Sequence, residues 1–285
     1  MFFYKTYQPC AALKPYISSY SVVENETAVS HHILPRAAFI LGIRYKGNMT
    51  LQSATKEVMR TGFTSGVMGI QDTCRIFSKD AGTGMLAINF TPIGAAALLR
   101  LPLNEIFNQA YPLHDFFSQR LIAELEERVT CAIDQVERIR ITESFLQKIM
   151  GDYQQDQLIK EGVQLIQRAK GIIRADELAK QLFISPARLE KRFRSVVGTT
   201  PKKYASMTRI ASVLHGLRSG VSLTGLAFDF GYFDQAHFNH YFKNYTGVTP
   251  KQLLSPGMSA NRDDQPPCGF VYASNVRMIN KDLCD

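Results

Sequence analysis

Two stretches decide the architecture. The first is Ser185-Pro186-Ala187-Arg188-Leu189-Glu190-Lys191-Arg192-Phe193-Arg194, followed by Gly198-Thr199-Thr200-Pro201-Lys202. The second is Gln235-Ala236-His237-Phe238-Asn239-His240-Tyr241-Phe242-Lys243, followed by Gly247-Val248-Thr249-Pro250-Lys251. The second repeats the first at an offset of 49 residues: Leu189 maps on Phe238, Phe193 on Phe242, Arg194 on Lys243 and Gly198 on Gly247. Upstream, Leu178-Ala179 maps on Leu226-Ala227 at an offset of 48, so the second turn is one residue longer. Each copy reads as a helix, a short turn, a capped helix, and then a glycine and a Thr-Pro that open the next segment. That is a helix-turn-helix, written twice.

Projected at 100° per residue, the second helix of each copy has two unlike faces. Leu189, Phe193, Val196 and Val197 share one face of the first, and Ala187, Glu190, Lys191 and Arg194 lie opposite. In the second, Phe238, Tyr241, Phe242 and Tyr245 share a face, with Ala236, Asn239, His240 and Lys243 opposite. Both outer faces combine hydrogen-bonding groups with cations. Each carries an alanine at the same place, small enough to let a helix approach base edges. Between the copies, Tyr204, Met207, Ile210, Ala211, Leu214 and Leu217 keep helical spacing. A helix of about 17 residues spans ~25 Å, so a strut over 201–217 can hold two reading helices near the ~34 Å repeat of the major groove.

Charge points to the same region. The chain has 285 residues and a net charge of +8. Residues 160–255 hold 15 Lys/Arg against 6 Asp/Glu, while the rest of the chain holds 18 against 19. The basic excess therefore lies in one C-terminal block, the footprint of a polyanionic partner. No apolar run reaches the ~18–20 residues needed to cross a bilayer. The first residues show no basic segment followed by a long apolar one, so a cytoplasmic location without a leader is expected. Five scattered cysteines, Cys10, Cys74, Cys131, Cys268 and Cys284, form no C-x-x-C pair and read as reduced thiols.

Residues 1–112 read as mostly β, with short apolar segments such as 37–45 and 85–90 between Gly, Asn and Thr turns. The glycines of 61–71 suggest a loop or distorted strand. Thr91-Pro92 is expected to cap a short helix over 93–99. From 115 to 150 the spacing turns helical (Leu121, Leu125, Val129, Ile133, Val136, Ile139, Phe145, Leu146), predicting a connector of two helices. Its apolar stripe packs within the molecule or against a second copy. Ser185-Pro186, Thr200-Pro201 and Thr249-Pro250 are strong helix starts, and Ser222 and Asp234 also precede helix-like segments. The predicted fold is α+β. Residues 1–112 form a small β-barrel or sandwich that senses an effector, 113–155 a helical connector with a dimer contact as its second reading, and 156–255 an all-α double helix-turn-helix domain. Residues 256–285 form a tail.

Residues 160–255 resemble the DNA-binding domain of the AraC/XylS transcription regulators. The likeness is carried by Glu177-Leu178-Ala179, Ser185-Pro186-Ala187-Arg188-Leu189, Phe193-Arg194 and Gly198-Thr199-Thr200-Pro201-Lys202-Lys203-Tyr204. It is carried above all by Phe230-Gly231-Tyr232-Phe233-Asp234-Gln235-Ala236-His237-Phe238 and Phe242-Lys243-Asn244-Tyr245-Thr246-Gly247-Val248-Thr249-Pro250. The resemblance implies seven helices, and base-facing positions at Ala187, Glu190 and Lys191 in the first reading helix and Gln235, Ala236 and His240 in the second. Arg188, Arg194, His237, Asn239 and Lys243 complete the expected DNA-contact set. The family often has arginine where Lys191 and His240 stand. Lys191 keeps the charge without the bidentate fork, and His240 is mostly neutral near pH 7. The N-terminal half resembles a subgroup of these regulators through Tyr7-Gln8-Pro9, Leu13-Lys14-Pro15-Tyr16-Ile17, Leu34-Pro35 and Asn89-Phe90-Thr91-Pro92-Ile93-Gly94.

The expected partners are double-stranded DNA, RNA polymerase, a small-molecule effector and a second copy of the chain, with no membrane, cofactor or metal. His31-His32 and the pair His237 and His240 lack the further ligands of a metal site. Two rival readings stay open. An alkyl-transfer repair enzyme would need an activated cysteine, for which Cys74-Arg75 is the nearest candidate. An effector-independent DNA binder would use the N-terminal half only as scaffold.

Overall fold

The computed structural model describes residues 2–33, 35–53, 63–73, 75–218, 225, 230, 235–246 and 249–251. It is mixed α+β, with β-sheets and short helical turns in the N-terminal half and the longer helices after residue 118. The strands are β1 (Phe2–Tyr7), β2 (Ile17–Asn25), β3 (Val29–Ile33), β4 (Ile40–Lys46), β5 (Met49–Ser53), β6 (Ser65–Met68), β7 (Arg75–Lys79), β8 (Thr83–Phe90) and β9 (Ala110–Pro112). Six of them form an open antiparallel sheet in the order β1-β2-β8-β4-β6-β9, and three form a second sheet in the order β3-β7-β5.

The large sheet is covered on both faces. One face carries Tyr20, Val22, Leu41, Ile43, Leu86 and Ile88, all buried in the main core. Helix α2 (Gln119–Cys131) and helix α3 (Gln135–Met150) supply Ile122, Leu125, Val129, Ile139, Phe145 and Leu146 to that core. The apolar stripe of the connector is thus spent inside the molecule, although Ile133 and Val136 at the α2–α3 turn stay exposed. Asp134 caps α3 by accepting from the Glu137 amide, and the Glu137 carboxylate accepts from the Ile133 amide, a reciprocal arrangement that satisfies two helix-start donors. The opposite face carries Ile40, Met85 and Ala87, against which Met49 and Phe77 of the small sheet pack.

Of the expectations for this half, one is narrowed to its strand alternative and one differs from what is observed. Ser65–Met68 is a strand despite its glycine, because it pairs with β4 on one side and β9 on the other. The short helix α1 (Ala95–Leu99) starts at 95, with Gly94 as its cap residue. The Thr91 hydroxyl donates instead to the Pro15 carbonyl, and the Thr91 amide donates to Tyr16. A Cβ on Gly94 would lie 1.9 Å from the Tyr16 oxygen, so only glycine lets these segments touch. Two of the N-terminal motifs noted in the sequence therefore meet in space.

Beyond the connector follow α4 (Gln157–Arg168), α5 (Ala175–Gln181), α6 (Pro186–Val197), α7 (Pro201–Arg218) and α8 (Gln235–Thr246). Gly225 and Pro250–Lys251 are also helical. One continuous core runs from Leu13 through Met207, taking in the large sheet, the connector and α4 to α6. A separate cluster of Ile210, Val213, Phe230, Phe238 and Phe242 lies beyond the middle of α7. Among the described residues no helix is long and apolar enough to cross a membrane.

Candidate nucleic-acid interface

Local sequence builds α6 as a surface helix. Ser185 caps it through its hydroxyl, which accepts from the Arg188 amide, and Pro186 takes the first turn, where its missing donor costs nothing. At the other end Gly198 adopts φ +89° and its amide donates to Arg194, closing the helix in a left-handed turn. Leu189, Phe193 and Val197 are buried against the rest of the domain. Phe193 meets Tyr204 of α7 edge-on at 5.6 Å between ring centres. Tyr204 accepts from Gln167 of α4, and burial pushes its phenol up to about 12, so it serves as a neutral hydrogen-bonding group. Arg192 reaches Asp156 with three contacts of 2.7–3.1 Å, and Asp156 also caps α4 through the Ile159 amide. These contacts fix which face of α6 is turned inward.

The other face of α6 is exposed: Ala187, Arg188, Glu190, Lys191 and Arg194 all face solvent. Glu190 and Arg194, one turn apart, pair at 2.9 Å. Among the described residues, the face thus offers two unpaired cations, Arg188 and Lys191, and an ion pair. The turn between α5 and α6 places Phe183 at φ +52° and almost wholly in solvent. On α8, Phe238 and Phe242 are buried with their rings 5.7 Å apart, while Ala236, His240 and Lys243 are exposed and Asn239 is half-buried. Gln235 and His237 stand on the same helix. The 18 residues of α7 separate the two units by about 27 Å of helix. Ser222, Asp234, Cys74, Cys268, Cys284 and the 256–285 tail, each singled out in the sequence, lie outside the described residues. Cys10 and Cys131 are free thiols.

The structure adds a contact that sequence reasoning missed. The first helix-turn-helix unit is docked on the N-terminal half. Lys203 at the start of α7 pairs with Asp72, which is also held by Asn108. Its ammonium lies 5.0 Å from the centre of the Phe107 ring. Burial pushes the Asp72 carboxyl up, but the hydrogen bonds from Lys203 and Asn108 outweigh it and hold the group below its usual range. Behind Asp72, Arg75 of β7 donates to Gln71 and to the Asn108 carbonyl. Gly198 faces the buried Phe39 of the N-terminal half. In the sequence Gly198 carries only the signal of a helix end.

Residues 178–255 match the family described as "Helix-turn-helix domain", and residues 5–112 match a domain of unknown function (DUF6597). Among curated proteins, the HTH-type transcriptional activator RhaS of Yersinia pestis (strain Pestoides F) is 25% identical over 162 residues, covering 51% of this chain and 59% of that protein. RhaS of Escherichia coli O139:H28 is 29% identical over 79 residues, covering 27% and 28%. The match thus spans 59% of the length of the first of these relatives and 28% of the second. Among solved structures, ToxT from Vibrio cholerae covers 82% of this chain and 97% of its own at a TM-score of 0.44 and 13% identity.

Proposed function

From a C-terminal domain that belongs to the AraC/XylS-type helix-turn-helix regulators, we propose that this chain is a sequence-specific DNA-binding transcription regulator. It sets α6 and α8 into successive segments of the major groove. The observation that carries this reading is the division of α6 into a buried apolar face and an exposed face of Ala187, Arg188, Glu190, Lys191 and Arg194. That face lies in the basic block, and a strut of groove-repeat scale leads to a second helix of the same layout. Ala187, Glu190 and Lys191 read base edges in the first segment, and Gln235, Ala236 and His240 in the second. Arg188, Arg194, His237, Asn239 and Lys243 hold phosphates or flank the bases.

The first unit carries more of the base reading, because the exposed face of α6 presents Arg188, Lys191 and Arg194, whereas that of α8 presents His240 and Lys243. The proposed partners are double-stranded DNA, RNA polymerase, a small-molecule effector and a second copy of the chain, with activation as the proposed sense. RhaS, the relative described above, carries the name of an activator. The N-terminal half modulates DNA binding through its dock on the first unit, at Asp72–Lys203 and Phe39–Gly198. The reading is of a regulator and not of an enzyme.

In vitro selection of duplexes bound by the full chain tests this. Lys191→Ala and Gln235→Ala should each cost specific affinity by about 1–3 kcal/mol and relax one position of the selected site. If both variants select the same sites as the parent with the same affinity, α6 and α8 are not the reading helices.

A further inference from the structure

The residue pattern divides the chain near residue 155, but the packing divides it inside α7. The main core takes in Tyr204, Ala205 and Met207 at the start of that helix. The next buried residues of α7, Ile210 and Val213, belong to the separate cluster with Phe230, Phe238 and Phe242. The first helix-turn-helix unit therefore shares its interior with the N-terminal half, while the second, as far as it is described, has an interior of its own. The hydrogen bonds agree. Gln167 of α4 donates to the Tyr204 hydroxyl, and Arg209 donates to the Gly171 carbonyl, so the first unit holds α7 as far as Arg209. A Cβ on Gly171 would lie 2.2 Å from the Ala205 oxygen, which shows how closely the loop before α5 presses on α7.

At this division α7 carries two side chains that soften a helix. The Thr208 hydroxyl donates to the Tyr204 carbonyl, and the Ser212 hydroxyl donates to the Thr208 carbonyl, each one turn back. Such bonds compete with the backbone ladder and bend helices. The two meet at Thr208, between Met207 of one core and Ile210 of the other. One side chain of α8 crosses the division. Among the described residues beyond Met207, only Tyr245 packs on the main core, and it packs on the second cluster as well. Burial first, then the Tyr241 phenol and the Asp72 charge, push the Tyr245 phenol well above its usual range, so it stays neutral. Asp72 is also the residue through which the N-terminal half holds Lys203 in the first turn of α7. One carboxylate of the N-terminal half thus bears on the start of α7 and on the end of α8.

We propose that Tyr245 is a latch that fixes the second helix-turn-helix unit against the first, with the middle of α7 as the hinge, and that it thereby sets the spacing between the two DNA segments read by α6 and α8. Tyr245 is a positioning residue and touches no base. This rests on the reading of α6 and α8 as DNA-reading helices and names what fixes their separation. The scale is the right one for base-pair register. From Thr208 to its end at Arg218, α7 is about 15 Å long. A bend of about 15° at Thr208 moves that end by about 4 Å, close to the ~3.4 Å rise of one base pair.

Two measurements on the full chain test this. Hydrogen exchange without DNA should show α6 opening together with the N-terminal half, and α8 opening separately and at least tenfold more often. Tyr245→Ala should speed exchange in α8 at least tenfold further and leave α6 unchanged, while Tyr245→Phe, which keeps the ring, should match the parent. The second measurement is selection among duplexes whose two read segments are moved apart or together by single base pairs. The parent and Tyr245→Phe should prefer one spacing, and Tyr245→Ala should discriminate against its neighbours at least tenfold less. Adding Thr208→Ala and Ser212→Ala to Tyr245→Ala removes both backward bonds, stiffens α7 and should restore at least threefold of the lost discrimination. Where the alanine variant loses the second segment altogether, Tyr245→Leu, which keeps apolar bulk without the ring, carries the same comparison. A common opening of α6 and α8, faster exchange in α6 of Tyr245→Ala, or a spacing preference untouched by loss of the ring overturns the latch. Discrimination that the α7 substitutions do not restore overturns the hinge. A parent that selects no duplex defeats the DNA reading, and faster exchange confined to α8 then still supports the latch.

Discussion

Gly198→Ala probes the dock between the N-terminal half and the first helix-turn-helix unit, because the same Cβ meets two separate obstacles. The first is local. Gly198 sits at φ +89° and ψ 1°, where an alanine costs about 1–2 kcal/mol through the clash of its Cβ with the backbone. The second is tertiary. The added carbon would stand 2.8 Å from Cζ of Phe39 and 3.2 Å from the Leu103 carbonyl oxygen. Phe39 is 0% exposed and has nowhere to swing, so overpacking adds about 1–3 kcal/mol. The two together come to about 2–5 kcal/mol. Phe39→Leu removes the ring edge and leaves the local term and the Leu103 carbonyl contact. A double-mutant cycle by urea unfolding should therefore show Gly198→Ala costing about 1–2 kcal/mol less in the Phe39→Leu background than in the parent. Equal costs in the two backgrounds would refute the reasoning, since Phe39 would then not press on Gly198 and the two halves would not be docked as described.

Two further outcomes follow from named contacts. Asp72 titrates lower when folded than a free carboxyl, so its pairing stabilises above the usual carboxylate range and fades as pH falls through the lowered value. Lys203 is 43% exposed on its side chain, so solvent screens the pair to under about 1 kcal/mol. Stability curves of the parent and Asp72→Asn should accordingly differ near pH 7 and converge as pH falls through the lowered Asp72 value, and a constant difference at all pH values would deny the pairing. Glu190→Gln releases Arg194 from its partner and removes a negative charge from the DNA-facing surface. Affinity for random-sequence duplex should rise by about 2–5-fold at low salt, with a steeper salt dependence; a loss of affinity would mean that this face points away from the phosphates.

The helices of the first helix-turn-helix unit were legible from residue pattern, because their signals are local. Helical period, a capping serine before proline and a closing glycine act within one or two turns, and they place Leu189, Phe193 and Val197 inside and Lys191 outside without knowledge of any other segment. The two connector helices were legible for the same reason. Strand order was not: β8 lies between β2 and β4, a pairing of segments far apart in the chain that no short-range pattern encodes. Nor was the start of α1 legible, because the Thr91 hydroxyl that reads as a cap is drawn away by Pro15.

Lys79 shows the same division most sharply. In Arg75-Ile76-Phe77-Ser78-Lys79 the alternation puts the lysine on the face of Phe77, and at a strand end it reads as a solvated charge. Only the packing of a second sheet over the first takes it out of water. Burial is decided by what covers a residue, and for Lys79, Gly198 and Asp72 the covering or opposing group comes from another part of the chain. The surroundings of those three residues follow from long-range packing, which no short-range pattern encodes.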